Sequence, residues 1–270
     1  MSYLKKKIII KLISSAVVLY FAIALGFYFF QDRILFQSKA LNKEYIFQFS
    51  QNFHEYFIPT PDGETLNALL FKANEPAKGL IIYFHGNADN LQRWGQYAVD
   101  YTQLGYDILM MDYRGYGKSS GTPHEKILYE DAATIWEWAR TNLPHPRIII
   151  YGRSLGSPIA SNLAITTHPD LLILETPFKD VRSVISPVLI PWAYLFPLRH
   201  HFSNYDFLSK VRCRKVIIHG TQDWVVPLSS PLQLKPLLAK TDTFALIEGG
   251  GHKNLRDFPE FHKILKRVLN

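Results

Sequence analysis

Short apolar runs that alternate with helical stretches are the feature that most restricts how this chain can fold. Runs of this kind are typical of strands buried on both faces of a parallel sheet. They lie at residues 80–84, 106–112, 147–151, 171–174, 215–219 and 243–247. Two earlier runs, residues 54–59 and 66–72, flank a turn sequence at residues 60–63 and predict an opening pair of strands. The pattern predicts an α/β fold with helices on both faces of a mostly parallel, doubly wound sheet.

The composition is that of a globular chain with one large core. Of the 270 residues, 47% are hydrophobic and 20% are charged, and disordered chains show the reverse balance. The single cysteine, Cys213, excludes a disulfide framework and a cysteine-rich metal site. His200 and His201 form the one adjacent histidine pair, and no carboxylate or thiol flanks it in sequence. We therefore predict no metal and no cofactor.

The net charge of +7 is concentrated near the beginning of the chain and does not predict nucleic-acid binding. Without the four lysines of the first eleven residues, 26 basic side chains face 23 acidic ones, which is an ordinary surface. No later basic run is interleaved with aromatic residues. The four lysines are Lys5, Lys6, Lys7 and Lys11.

An apolar stretch from Leu12 to Phe30 follows these lysines and predicts a transmembrane helix. As a helix it is about 28 Å long, close to the thickness of a bilayer's hydrocarbon core. A cleaved signal peptide and a buried helix are the alternatives, but no small-x-small cleavage site follows. The lysine cluster predicts a cytoplasmic N-terminus and an extracytoplasmic (in bacteria, periplasmic) C-terminal domain. Basic residues beyond the stretch, at positions 33, 39 and 43, weaken that bias.

Three regions follow from these patterns. They are an anchor at residues 1–31, a connecting segment at 32–53 and a globular α/β domain at 54–270. Within the domain, residues 176–210 are rich in proline and aromatic residues and predict a small cap. The clearest helix is predicted to start with Thr122 as its N-cap, Pro123 in its first turn and Glu125 completing a capping box.

The strongest chemical signal is the sequence Gly-Arg-Ser-Leu-Gly at residues 152–156, directly after an apolar run. A serine between two glycines at a strand-to-helix turn can adopt strained dihedral angles that expose its hydroxyl. The motif is common by chance, and its position after a buried strand is what favours Ser154 as a nucleophile. The backbone N–H of Leu155 then lies at the positive end of the next helix.

A nucleophilic serine needs a base, a group that orients the base, and donors for the oxyanion. His252 follows three glycines after the last strand-like run, and Asp223 lies in the turn after the run at 215–219. The order Ser, Asp, His is that of the α/β-hydrolases. Glu175 also ends a strand-like run and is the alternative acid.

The oxyanion donors are predicted from a second loop. In the sequence His85-Gly86-Asn87, the backbone N–H of Asn87 could be a second oxyanion donor beside that of Leu155, and His85 would then brace the loop.

These motifs, together with Asp-Tyr-Arg-Gly-Tyr-Gly at 112–117 and His-Gly-Thr-Gln-Asp at 219–223, resemble the α/β-hydrolase superfamily. The resemblance runs from about residue 54 to residue 270. It is closest to the membrane-anchored branch related to serine aminopeptidases and protein depalmitoylases. It implies an eight-stranded core, no metal, and cleavage of esters or thioesters.

The predicted function is hydrolysis of carboxylic esters or thioesters by a serine esterase, lipase or thioesterase with the triad Ser154, Asp223 and His252. The anchor and the aromatic cap favour an acyl substrate near a membrane, such as a lipid-derived ester or an acylated protein. A serine aminopeptidase is the first alternative and would need an acidic group in the cap, for which Asp180 and Asp206 are the candidates. A catalytically inactive binding protein on the same fold is the second.

Overall fold

All eight predicted strands are present in one sheet. The computed structural model describes residues 3–73, 76–184 and 198–270. The strands are β1 Phe53–Pro59, β2 Thr65–Phe71, β3 Gly79–Phe84, β4 Tyr106–Met111, β5 Ile148–Arg153, β6 Leu171–Glu175, β7 Arg214–Gly220 and β8 Thr243–Ile247. Their order in the sheet is β1-β2-β4-β3-β5-β6-β7-β8. β1 and β2 are antiparallel, β2 is antiparallel to β4, and the other neighbouring strands are parallel.

Helices cover both faces of the sheet, and the inner strands β2 to β7 are buried along almost their whole length for that reason, whereas the edge strands β1 and β8 are partly exposed. The helices in the described ranges are α1 Tyr3–Leu35, α2 Leu91–Trp94, α3 Val99–Thr102, α4 Glu125–Asn142, α5 Gly156–Thr167, α6 Asn204–Leu208, α7 Ser229–Leu232 and α8 Pro259–Leu269. In β3, Leu80 and Ile82 belong to the core under α4 and α5, whereas Ile81 and Tyr83 belong to the core under α2, α3 and α8. The predicted fold class is therefore confirmed.

α1 contains the apolar stretch and extends beyond it at both ends. Within the described residues, its segment Lys5–Leu35 is the one helix long and apolar enough to cross a membrane, with a mean hydropathy of 2.4. Only 6% of its most apolar window is buried, which argues against the alternative of a buried core helix. Residues between α1 and β1 pack on the domain, because Leu41 N–H donates to the carbonyl of Gly117 over 2.7 Å.

The predicted start of α4 is wrong by two residues. The helix begins at Glu125, and its N-cap position is held by His124 without a side-chain hydrogen bond. The carboxylate of Glu125 does not complete a capping box. It accepts the backbone N–H groups of His201 and Phe202 over 2.5 and 2.7 Å, so a contact distant in sequence replaces the local one.

The predicted cap is described only in part. Its first residues, 176–184, and its last, 198–210, belong to the described ranges. The proline and aromatic residues on which the prediction rested lie outside them. They are Pro187, Pro191, Trp192, Phe196 and Pro197.

Candidate active site

The turn between β5 and α5 holds Ser154 in a conformation that few L-residues adopt. Its φ is 50°, and its backbone N–H donates to the carbonyl of Glu175 over 2.9 Å. A Cβ added to Gly156 would lie 2.0 Å from the carbonyl oxygen of Phe84, so only glycine lets α5 approach β3 this closely. The strained serine is the expected geometry of an exposed nucleophile on a tight turn.

The structure brings the three predicted triad side chains together at the carboxyl ends of parallel strands. His252 Nε2 lies 3.0 Å from Ser154 Oγ, and His252 Nδ1 lies 2.8 Å from Asp223 Oδ2. Both distances are hydrogen-bond distances. The Asp223 side chain is fully buried, whereas 14% of the His252 side chain is exposed. The arrangement can take a proton from the Ser154 hydroxyl and stabilise the resulting imidazolium.

Asp223 is held in its ionised form by several donors. Burial alone would raise its pKa, but the hydrogen bond and charge of His252 and the backbone N–H of Val226 hold the pKa below its ordinary value. Asp223 Oδ1 accepts the N–H groups of Val225 and Val226 over 2.9 and 2.7 Å. Its other oxygen is left for His252. A carboxylate fixed in this way sets the orientation of the imidazole.

Glu175, the alternative acid, contacts Arg153 and Tyr151 and not the imidazole of His252. Its carboxylate lies 3.3 Å from Arg153 Nε and accepts the hydroxyl of Tyr151 over 2.7 Å. Arg153 in turn donates from Nη2 to the backbone carbonyl of His252 over 3.0 Å. Glu175 therefore acts on the histidine loop through Arg153. Asp223 is the carboxylate that His252 itself contacts.

Sequence reasoning missed Arg153. Burial alone would lower its pKa, but the charge of Glu175 raises the pKa above its ordinary range, so the guanidinium stays charged although only 3% of the side chain is exposed. It also lies over the rings of Trp94 and Tyr97, at 5.2 and 4.9 Å. One sequence feature could have identified Arg153, because it is a charged residue at the end of an apolar strand. An unpaired charge is costly there, so a partner is expected.

The loop after β3 lies against the serine turn. A Cβ on Gly86 would be 3.7 Å from Ser154 Cβ. The Asn87 side-chain oxygen accepts the Gln37 N–H over 3.2 Å and the Tyr116 hydroxyl over 3.0 Å, which fixes the loop from two sides. His85 is fully buried, with Nδ1 2.6 Å from the carbonyl of Gly86 and Nε2 3.3 Å from Asp112 Oδ1.

A cavity of about 510 Å³ opens beside Ser154, within the usual size range of small-molecule sites. Its described lining includes Asn87, Leu155 and His252 and is otherwise mostly apolar. Arg93, Arg153 and Lys253 contribute positive charge, and none of the described lining residues is acidic. Asp180 and Asp206, the predicted amine-binding candidates, line a separate cavity of about 400 Å³.

Cys213 does not line the cavity that contains Ser154. Burial raises the pKa of its thiol to about 11, so at about pH 8 only about one molecule in 10³ carries the reactive thiolate. We expect iodoacetamide at this pH to leave the predicted esterase activity unchanged. The measurement is activity after alkylation, with the urea-unfolded chain as the control that should be alkylated rapidly. Inactivation in step with modification of Cys213 would contradict this prediction.

Comparison with known proteins gives the family. The family model for serine aminopeptidase, S33, matches residues 75–205. The alpha/beta hydrolase domain-containing protein 17B of Xenopus tropicalis is 30% identical over 217 residues, which cover 79% of this chain and 74% of that protein. The chain belongs to the α/β-hydrolase superfamily. The resemblance inferred from the motifs is thus confirmed.

Two further matches are a lipase and an esterase. Lysophosphatidylserine lipase ABHD12 of Bos taurus is 31% identical over 222 residues, covering 70% of this chain. The chain spans only about half, 55%, of that lipase's length. The solved structure of the Pyrococcus furiosus esterase Pf2001 has a TM-score of 0.65 at 18% identity, with 85% of this chain and 97% of the esterase covered. That likeness concerns the fold alone.

Proposed function

We propose that this α/β-hydrolase cleaves ester or thioester bonds of lipid-derived acyl substrates, with Ser154 as nucleophile. The observation that carries the proposal is the unbroken contact chain from Ser154 Oγ through His252 to Asp223. Ser154 and His252 line an apolar cavity, which the residues of the predicted oxyanion loop also line. The lysophosphatidylserine lipase among the similar proteins supports the same class of reaction.

In the proposed mechanism, Ser154 Oγ attacks the substrate carbonyl while His252 Nε2 takes the hydroxyl proton. Asp223 stabilises the charged imidazole. The backbone N–H groups of Leu155 and Asn87 receive the oxyanion. His252 then protonates the leaving alcohol or thiol, and an acyl ester on Ser154 remains. Water, activated by the same histidine, releases the acid and restores the serine.

The charge of the cavity favours an ester hydrolase over the aminopeptidase alternative. A peptide's free amine needs a carboxylate within reach, and the described lining of the cavity contains none. A buried ammonium group next to Arg153 and Lys253 would be repelled. A neutral or anionic acyl lipid meets no such penalty. An inactive binding protein would need neither the strained φ of Ser154 nor its contact to His252. Backbone strain costs free energy and is usually retained at functional sites.

We also propose that α1 anchors the enzyme as a single-pass helix, with the lysine cluster on the cytoplasmic side. The hydropathy and exposure of Lys5–Leu35 support the span. The orientation follows from Lys5, Lys6 and Lys7 through the positive-inside rule. The hydrolase domain then lies on the extracytoplasmic side.

A panel of substrates tests the proposed function on the full chain in detergent micelles. We expect kcat/KM for p-nitrophenyl esters to rise at least about tenfold from acetate to octanoate or palmitate, since each buried CH₂ contributes about 0.8 kcal/mol. Leucine p-nitroanilide should be hydrolysed far more slowly. Asp206→Asn should alter neither rate, because Asp206 lines the other cavity. Preferred hydrolysis of acetate would refute an acyl-lipid substrate, and preferred hydrolysis of the anilide would establish a peptidase.

A further inference from the structure

The last turns of α1 have a protein-facing side, unlike the rest of the helix. Residues 5–19 of α1 are all exposed. From residue 24 onward, buried or half-buried positions recur every three or four residues, which is one face of a helix. Ala24 is fully buried and Gln31 is 6% exposed, while Phe27 and Leu35 pack against the core. The end of α1 is therefore part of the hydrolase domain.

Polar contacts fix this end of the helix to the segment that precedes α6. Gln31 accepts the Arg199 N–H over 2.8 Å. Asp32 pairs with Arg199 Nη1 at 2.7 Å and with His200 Nε2 at 2.6 Å. An acidic residue near a helix C-terminus is unfavourable for the helix dipole, so its position here is explained by these two partners. The ring of Phe36 packs edge-on against His200, at 5.1 Å between centroids.

The same end of α1 forms one side of the cavity that contains Ser154. Phe27, Gln31, Ile34 and Leu35 all line it. Phe27 lies within the apolar stretch predicted to span the membrane, and Leu35 lies about 12 Å further along the helix axis. With residues 12–30 across a bilayer, as proposed above, this wall would begin near the hydrocarbon edge, and it continues to the serine turn.

The rim of the cavity carries exposed apolar residues beside the catalytic loop. Trp224, directly after Asp223, is 93% exposed, and Val225, which lines the cavity, is 51% exposed. Tryptophan is enriched where a protein meets the interfacial layer of a membrane. A rim of this kind suits a cavity mouth that rests on the lipid surface.

We propose that the end of α1, residues 27–35, is the acyl-chain wall of the active site and receives the chain of a lipid from the adjoining leaflet. This proposal rests on the proposed function and specifies its substrate as a lipid ester with one chain in the cavity. The helix is then a specificity element as well as an anchor. The apolar chain lies along Phe27, Ile34 and Leu35, and its carbonyl reaches Ser154.

The test compares two phenylalanines of α1 in the full chain reconstituted in phosphatidylcholine nanodiscs. Phe27→Ala removes a wall residue, and Phe30→Ala removes a matched side chain that is 58% exposed and does not line the cavity. The readout is the ratio of kcat/KM for p-nitrophenyl palmitate to that for p-nitrophenyl acetate. We expect Phe27→Ala to lower this ratio about tenfold, the size of a lost aromatic contact to one chain, and Phe30→Ala to preserve it.

A second variant guards against a folding effect of the first. Ile34 is 50% exposed and lines the cavity, so Ile34→Trp adds bulk to the wall with little risk to the core. It should also lower the palmitate-to-acetate ratio. An unchanged ratio in both wall variants overturns the inference while leaving the proposed function intact. If the wild-type chain hydrolyses neither ester, the proposed function itself fails.

Discussion

Replacing Ser154 with alanine is expected to lower kcat for p-nitrophenyl octanoate by at least about 10³-fold. The variant keeps the imidazole of His252 but lacks the oxygen that would form the acyl ester. Only binding and oxyanion donors then remain to assist direct attack by water. Because the exchange removes one oxygen from a half-buried side chain, we expect the melting temperature to change by no more than a few degrees.

Ser209→Ala is the matched control for this prediction. Ser209 is exposed and lies at the C-cap of α6, so its replacement should leave kcat unchanged. Turnover by Ser154→Ala within a few-fold of wild type, in a preparation free of other esterases, would mean that another residue attacks the substrate.

Replacing Asp223 with asparagine is expected to lower kcat by about 10³- to 10⁴-fold. The wild-type carboxylate accepts a hydrogen bond from His252 Nδ1–H through Oδ2 and hydrogen bonds from two backbone N–H groups through Oδ1. An asparagine oxygen that keeps the backbone N–H groups leaves an NH₂ group facing His252. That group cannot accept from Nδ1–H, so His252 would present the wrong tautomer to Ser154. The measurement is single-turnover acylation, which isolates the step that needs the base.

Glu175→Gln distinguishes the two candidate acids. Glu175 contacts Arg153 and Tyr151, so its replacement leaves the bond between Asp223 and His252 in place. We expect a smaller loss of kcat, below about 10²-fold, with a lower melting temperature because the buried Arg153 loses its counterion. A larger loss of kcat from Glu175→Gln than from Asp223→Asn would reverse the assignment of the triad acid.

The parts of the fold that depend on local pattern could be predicted from the sequence. Every strand lies within about two residues of its predicted run. For the inner strands β2 to β7 the reason is that a strand buried on both faces must be largely apolar. Ser154, Asp223 and His252 could be singled out because each follows a strand at the same edge of the sheet. Their distances were beyond sequence reasoning, since they depend on loops that fold over that edge.

Other features depend on contacts between distant segments and were not predictable. The start of α4 is set by the bonds from His201 and Phe202 to Glu125. The contribution of α1 to the cavity wall could not be predicted from the sequence, because an apolar helix has the same composition whether it faces lipid or protein. Gln31 and Asp32, polar residues directly after the apolar stretch, were the one local hint.

Covalent labelling of the full chain identifies the attacking nucleophile, which we propose to be Ser154. A fluorophosphonate reacts with a serine activated by a neighbouring base and leaves a stable phosphonyl ester. Peptide mapping by mass spectrometry after labelling should find one adduct per chain, on the peptide that contains Ser154, and none in Ser154→Ala. A chain that hydrolyses esters yet carries its adduct on another residue, or carries none, would contradict the account.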